Sequence, residues 1–91
     1  MATVTLALDG QLGRARLPNV CRNLWMLLAC SGATLALFDL RGIRPDAAAV
    51  DALARLQLYA RRRGCKVLLS TAPVELIELI ELMGLHDALL P

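Results

Sequence analysis

The chain has 91 residues, 57% of them hydrophobic, and its ten basic and eight acidic side chains leave a net charge of +2. That length fits one domain, 1–91, able to bury roughly 60–65% of its unfolded surface. The near balance of charge argues against a nucleic-acid partner, and with His86 as the one histidine no histidine-based metal cluster can form.

Residues 3–8 start β-branched and alternate, which predicts a strand suited to a sheet edge. Asp9-Gly10 is a turn signal, and residues 11–16 are expected to form a short second strand or a loop. Leu17-Pro18-Asn19 opens a helix with proline in its first turn. Leu17, Cys21, Leu24 and Leu28 make its core stripe, flanked by Val20, Trp25 and Leu27, and Ser31-Gly32 ends it. Residues 34–38 read as a buried strand, too apolar to alternate. Residues 23–38 carry no charge, yet they fall short of the roughly 20 residues a spanning helix needs, and Ser31-Gly32 interrupts them. No membrane insertion is expected.

Pro45-Asp46 opens the next helix, with Asp46 as its N-cap. The helix should run to about residue 63, where Gly64 stops it. Its core stripe is Ala49, Leu53, Leu56 and Ala60, with Ala52 and Tyr59 at one margin. Arg61, Arg62 and Arg63 complement the dipole at its C-terminus. Residues 66–69 form another buried strand. Ser70-Thr71-Ala72-Pro73 leads into the last helix, with Thr71 or Ala72 near the cap and Pro73 in the first turn. Leu76, Ile77, Ile80 and Met83 should face inward. Gly84 ends this helix, and residues 85–90 form a short apolar tail that docks.

Strands separated by helices imply crossover connections and an α/β fold with a largely parallel sheet of about four strands and three to four helices. The first strand or strands are expected to pair antiparallel at one edge. Ligand sites in such sheets lie beyond the strand C-terminal ends. Asp39, the turn at residues 41–46 and Ser70-Thr71 fall there.

Several segments in this order resemble the STAS domain, the family of sulfate transporters and anti-sigma factor antagonists. Leu8-Asp9-Gly10-Gln11-Leu12 is similar to the family's early apolar-Gly-Glu-Leu-Asp segment. Phe38-Asp39-Leu40-Arg41-Gly42-Ile43 is similar to its strand-ending Asp-Leu-Ser-Gly-Val. Residues 61–69 resemble its second helix running through glycine into a strand, and Met83-Gly84-Leu85 resembles a recurrent apolar-Gly-Leu sequence of its last helix. The resemblance implies a STAS-like mixed, largely parallel sheet. It also implies a non-enzymatic regulatory module that binds an anti-sigma factor or another kinase-fold protein, in the cytoplasm, without a cofactor. An accessory subunit of a transporter ATPase and a homodimeric structural domain are the alternatives. The family commonly carries Asp-Ser-Ser/Thr-Gly after the turn, and a kinase phosphorylates the second hydroxyl residue. Here the segment is Asp46-Ala47-Ala48-Ala49. Ala48 stands at the acceptor position and has no hydroxyl, and a register slip of one finds none either.

At about 100° per residue, Ala48, Asp51, Arg55, Leu58 and Arg62 share one sector of the second helix, away from its core stripe. With Asp46 they form the candidate partner-binding face, although Asp51 and Arg55 at i,i+4 also read as a plain surface ion pair. On the first helix Met26 and Cys30 point outward as a second patch, open to a homodimer. Glu75, Glu78 and Glu81 read as a solvated acidic face. Catalytic signals are weak. Asp39 and Asp46 each have a structural role in turn or cap, no glycine-rich phosphate loop occurs, and capping accounts for Ser70 and Thr71. Cys21, Cys30 and Cys65 are odd in number and lack metal-ligand spacing, so reduced thiols are expected.

Overall fold

The computed structural model describes residues 3–89. Its elements are β1 (Thr3–Gly10), α1 (Leu17–Ser31), β2 (Leu35–Ile43), α2 (Ala47–Arg61), β3 (Lys66–Thr71), α3 (Val74–Leu82) and α4 (His86–Leu89). The strands form one sheet in the order β1-β2-β3, and both pairings are parallel. The expected antiparallel edge is therefore corrected. β1 is the edge strand, but α1 carries the chain back over the sheet before β2 begins, so the two strands run the same way.

The sheet has three described strands, and residues 11–16 supply no fourth. They form a turn in which the Arg16 guanidinium donates to the carbonyls of Asp9 and Gln11. Leu12 in this loop is fully buried, which explains an apolar residue in a segment with no strand partner. β2 continues past Phe38 to Ile43, so Asp39 lies within the strand and not at its end. Leu40 and Ile43, both buried, draw the chain onward into the core.

Capping follows local chemistry. Asp46 has an extended backbone, and its carboxylate accepts from Ala49 N at 2.8 Å. Gly64 adopts a left-handed φ of 74°, and Cys65 N reaches back to Ala60 O at 2.9 Å, which closes the helix in the manner glycine permits. α3 departs from expectation. Pro73 itself occupies the cap position with no side-chain acceptor, and the Ser70 hydroxyl instead donates to Phe38 O on β2 at 3.1 Å.

The core comes from one side of the sheet. Along β2, Ala36, Phe38 and Leu40 are buried while Leu35, Leu37 and Asp39 are half-exposed. α1 packs on β1 and α2, and α2 packs on β3, α3 and α4. Leu35, Leu37 and Leu68 lie outside both the core cluster and the residues packed against it. The helices thus cover one face, and no described element covers the other.

One inward assignment is corrected: Met83 is 45% exposed. Trp25 and Leu27, read as flanks of the α1 stripe, are exposed too, Trp25 by 46%. Trp25 and Leu27 sit at the two margins of the α1 stripe, where a 15-residue helix over a three-stranded sheet runs out of cover. Met83 follows the last turn of α3, beyond the buried Leu76 and Ile80. Ile77 is only half-buried. Leu89 is fully buried, so the tail docks as expected through residue 89; Leu90 lies outside the described residues.

Candidate functional site

Midway along β2 the Asp39 carboxylate is already engaged. It accepts from Arg41 N at 3.2 Å, from Arg41 Nε at 3.1 and 3.2 Å, and from Arg41 Nη2 at 2.8 Å. The Arg41 guanidinium and then its backbone N–H hold the Asp39 carboxyl below the usual carboxylate range. These residues line a shallow concavity of about 300 Å³ with Ala7, Leu8, Asp9 and Gly42. β1 and β2 approach closely here, where the pairing bulges: a Cβ on Gly42 would lie 2.9 Å from Asp9 Cβ. With Asp39 bound to Arg41 and Asp46 bound to its own helix, neither carboxylate is placed as a free acid or base.

The sector read on α2 is assembled as follows. Asp46 caps the helix, and Ala48 is exposed in its first turn. Asp51 Oδ2 accepts from Arg55 Nε at 2.9 Å and lies 3.8 Å from Arg14 Nε. Leu58 is 53% exposed, and Arg62 is exposed one turn further on. The surface ion pair between Asp51 and Arg55 is solvated on both sides and adds little to stability.

Tertiary packing widens this face into a groove. Arg55, Leu58, Tyr59, Arg62 and Arg63 of α2 and its C-terminal turn face Leu17 and Cys21 of α1 across a concavity of about 320 Å³. Three arginines ring an apolar floor. Arg63 is held over the Tyr59 ring at 3.8 Å and over Trp25 at 5.2 Å, a cation–π arrangement. It also donates to Tyr59 O at 3.3 Å, so its tie to the helix C-terminus is one part of its role. Burial pushes the Cys21 thiol up, and the Arg63 charge opposes that only in part. Cys21 is therefore a contact residue and not a poised thiolate.

Sequence reasoning missed Arg14, Arg63 and Gln57 as organisers. Gln57 is buried; its Nε2 donates to Val67 O at 2.7 Å and its Oε1 accepts from Val67 N at 2.9 Å. The signal was present, because Gln57 follows Leu53 by four residues and so falls on the same stripe. His86 is exposed, with Nδ1 3.7 Å from Glu81 Oε1. Among the described residues no helix is long and apolar enough to cross a membrane.

No family model matches the chain, and no curated protein matches it. Among solved structures it is similar to the anti-sigma factor antagonist SpoIIAA in its unphosphorylated form. The match has a TM-score of 0.66 and 13% sequence identity, and covers 96% of this chain and 76% of that one. At that identity the likeness is one of fold, so this chain, with helices stacked on a parallel sheet of three described strands, carries a STAS-like fold.

Proposed function

We infer that this chain is a non-enzymatic regulatory module of the anti-sigma factor antagonist kind. It docks an anti-sigma factor or related kinase-fold protein on α2, and no phosphate at the start of that helix switches it. The observation that carries the reading is Leu58, exposed and flanked by Arg55 and Arg62, in line with a solvent-facing Ala48 at the helix start. An exposed leucine beside charged groups supplies an apolar anchor with a polar rim, the usual anatomy of a docking surface. The arginine ring favours a partner with acidic side chains opposite it.

In a hydroxyl-bearing relative of this surface, phosphate would add about −1.5 to −2 charges at a helix N-terminus, where the helix itself tolerates the anion. Partner repulsion would then come without unfolding. An alanine removes that control and leaves the module binding-competent. The same reasoning makes Ala48→Glu informative. A carboxylate in the first turn of α2 suits the helix dipole, so thermal stability should hold or rise slightly while partner binding weakens.

The test is capture of partners from native lysate by wild type, Ala48→Glu and Leu58→Glu, with mass spectrometry of what is lost. Loss of a kinase-fold or anti-sigma protein with both substitutions supports the reading. Loss of a transporter ATPase replaces the partner class. Equal capture by all three baits removes this helix face from consideration.

A further inference from the structure

The two edges of the sheet are finished differently. At the β3 edge, Gln57 satisfies both the N–H and the C=O of Val67, and α4 packs alongside. At the β1 edge no described strand or side chain does the same for residues 3–8; Arg16 reaches only Asp9 O and Gln11 O beyond them. Over residues 3–8 this edge carries none of the charges or prolines that keep an edge from pairing; Asp9 and the bulge between Ala7 and Asp9 come only at the C-terminal end of β1.

The flank of α1 above this edge is of the same character. Met26 is 57% exposed, Leu27 is exposed, and together with Asn23 and Leu6 of β1 they line a groove of about 280 Å³. Cys30 is exposed one turn further on. None of these side chains is charged, although Arg22 and many other exposed positions of the molecule are. An apolar knob, Met26, therefore stands beside an apolar groove, next to a strand edge that no described residue pairs.

We propose that β1 and the outer flank of α1 form an isologous interface with a second copy of this chain. β1 pairs antiparallel with its own image to give a continuous six-stranded sheet. Three features select a second copy. An open strand edge is completed by another strand. A two-fold axis normal to the sheet keeps both α1 helices on the same side, so each Met26 approaches the groove of its mate. The absence of charge means that no like-charged pair is brought together by the symmetry. The interface also leaves the Arg55, Leu58 and Arg62 face free, and so stands apart from the function proposed above.

Sedimentation velocity from low micromolar to millimolar protein tests it, on wild type, Met26→Glu, Thr5→Lys and Leu58→Glu. Both interface substitutions fall at exposed positions, and circular dichroism checks that each variant is folded. The expected result is a concentration-dependent dimer that Met26→Glu and Thr5→Lys each weaken by about tenfold or more, and that Leu58→Glu leaves intact. Amide exchange in residues 3–8 should slow as wild-type concentration rises. A wild type that stays monomeric throughout overturns the proposal. So does a dimer that neither interface substitution affects, which would move the contact to another surface such as the uncovered sheet face.

Discussion

Gln57 shows how much one buried polar side chain can organise. Its amide pairs with both backbone groups of Val67, as another strand would. Gln57→Ala would remove both partners and leave Val67 to find water at a packed edge. The expected loss is about 2–3 kcal/mol in urea unfolding, because a buried backbone group left unpaired costs more than a made bond gains. Asp39 acts differently, since it is solvated and held by Arg41. Its folded-state carboxyl titrates below its unfolded value. The pair therefore contributes its full stabilisation above about pH 4, and that contribution is lost as pH falls through the folded-state value. Asp39→Asn should lower stability slightly at neutral pH, where the pair is fully formed, and change little in strong acid, where Asp39 is protonated, so the mutant's stability falls less steeply with acid, a difference read from urea midpoints from neutral to acid pH.

Within α2, one local signal at each end defines the element. Asp46 accepts from Ala49 N at the start, and the left-handed Gly64 closes the turn after the end. Asp46→Ala should cost about 1 kcal/mol, measured by chemical denaturation, as for other N-caps. That loss has a second consequence at this scale, because Ala48 sits two residues after the cap. Fraying of the first turn would disorder the docking face before the core gave way, so partner affinity should drop with the loss of cap. Between its ends the helix serves three surfaces at once: the core through Leu53 and Leu56, the β3 edge through Gln57, and the groove toward α1 through Leu58 and Tyr59. Consecutive residues 56–59 are thus divided among these three surfaces, as the 100° step of a helix allows.

As a whole the molecule is one-sided. Parallel sheets are ordinarily covered on both faces, yet here the helices stack on one, and Leu35, Leu37 and Leu68 lie opposite the core. This arrangement predicts unequal costs for adjacent residues of β2. Phe38→Ala should lose about 3–5 kcal/mol, enough to threaten folding of a domain this small. Leu37→Thr, at a half-exposed position on the uncovered face and to a β-branched residue that suits a strand, should lose under about 1 kcal/mol. Equal losses in thermal melts would mean that the second face is covered in solution.

The alternation of strand and helix, the Asp46 cap, the glycine stops and the missing hydroxyl at Ala48 were legible in the chain alone. Each depends on residues within a turn or two of one another, where periodicity and backbone preference act directly. The α2 sector was legible for the same reason, since helical spacing alone places Asp51, Arg55, Leu58 and Arg62 together. Other features needed the assembled fold. Direction of pairing made β1 parallel, α1 brought Trp25 over Arg63, the β1–α1 loop brought Arg14 to Asp51, and the packing left Leu27 and Met83 exposed. These depend on which surfaces meet across tens of residues. That is set by packing the whole core against one face of the sheet, which no local pattern encodes.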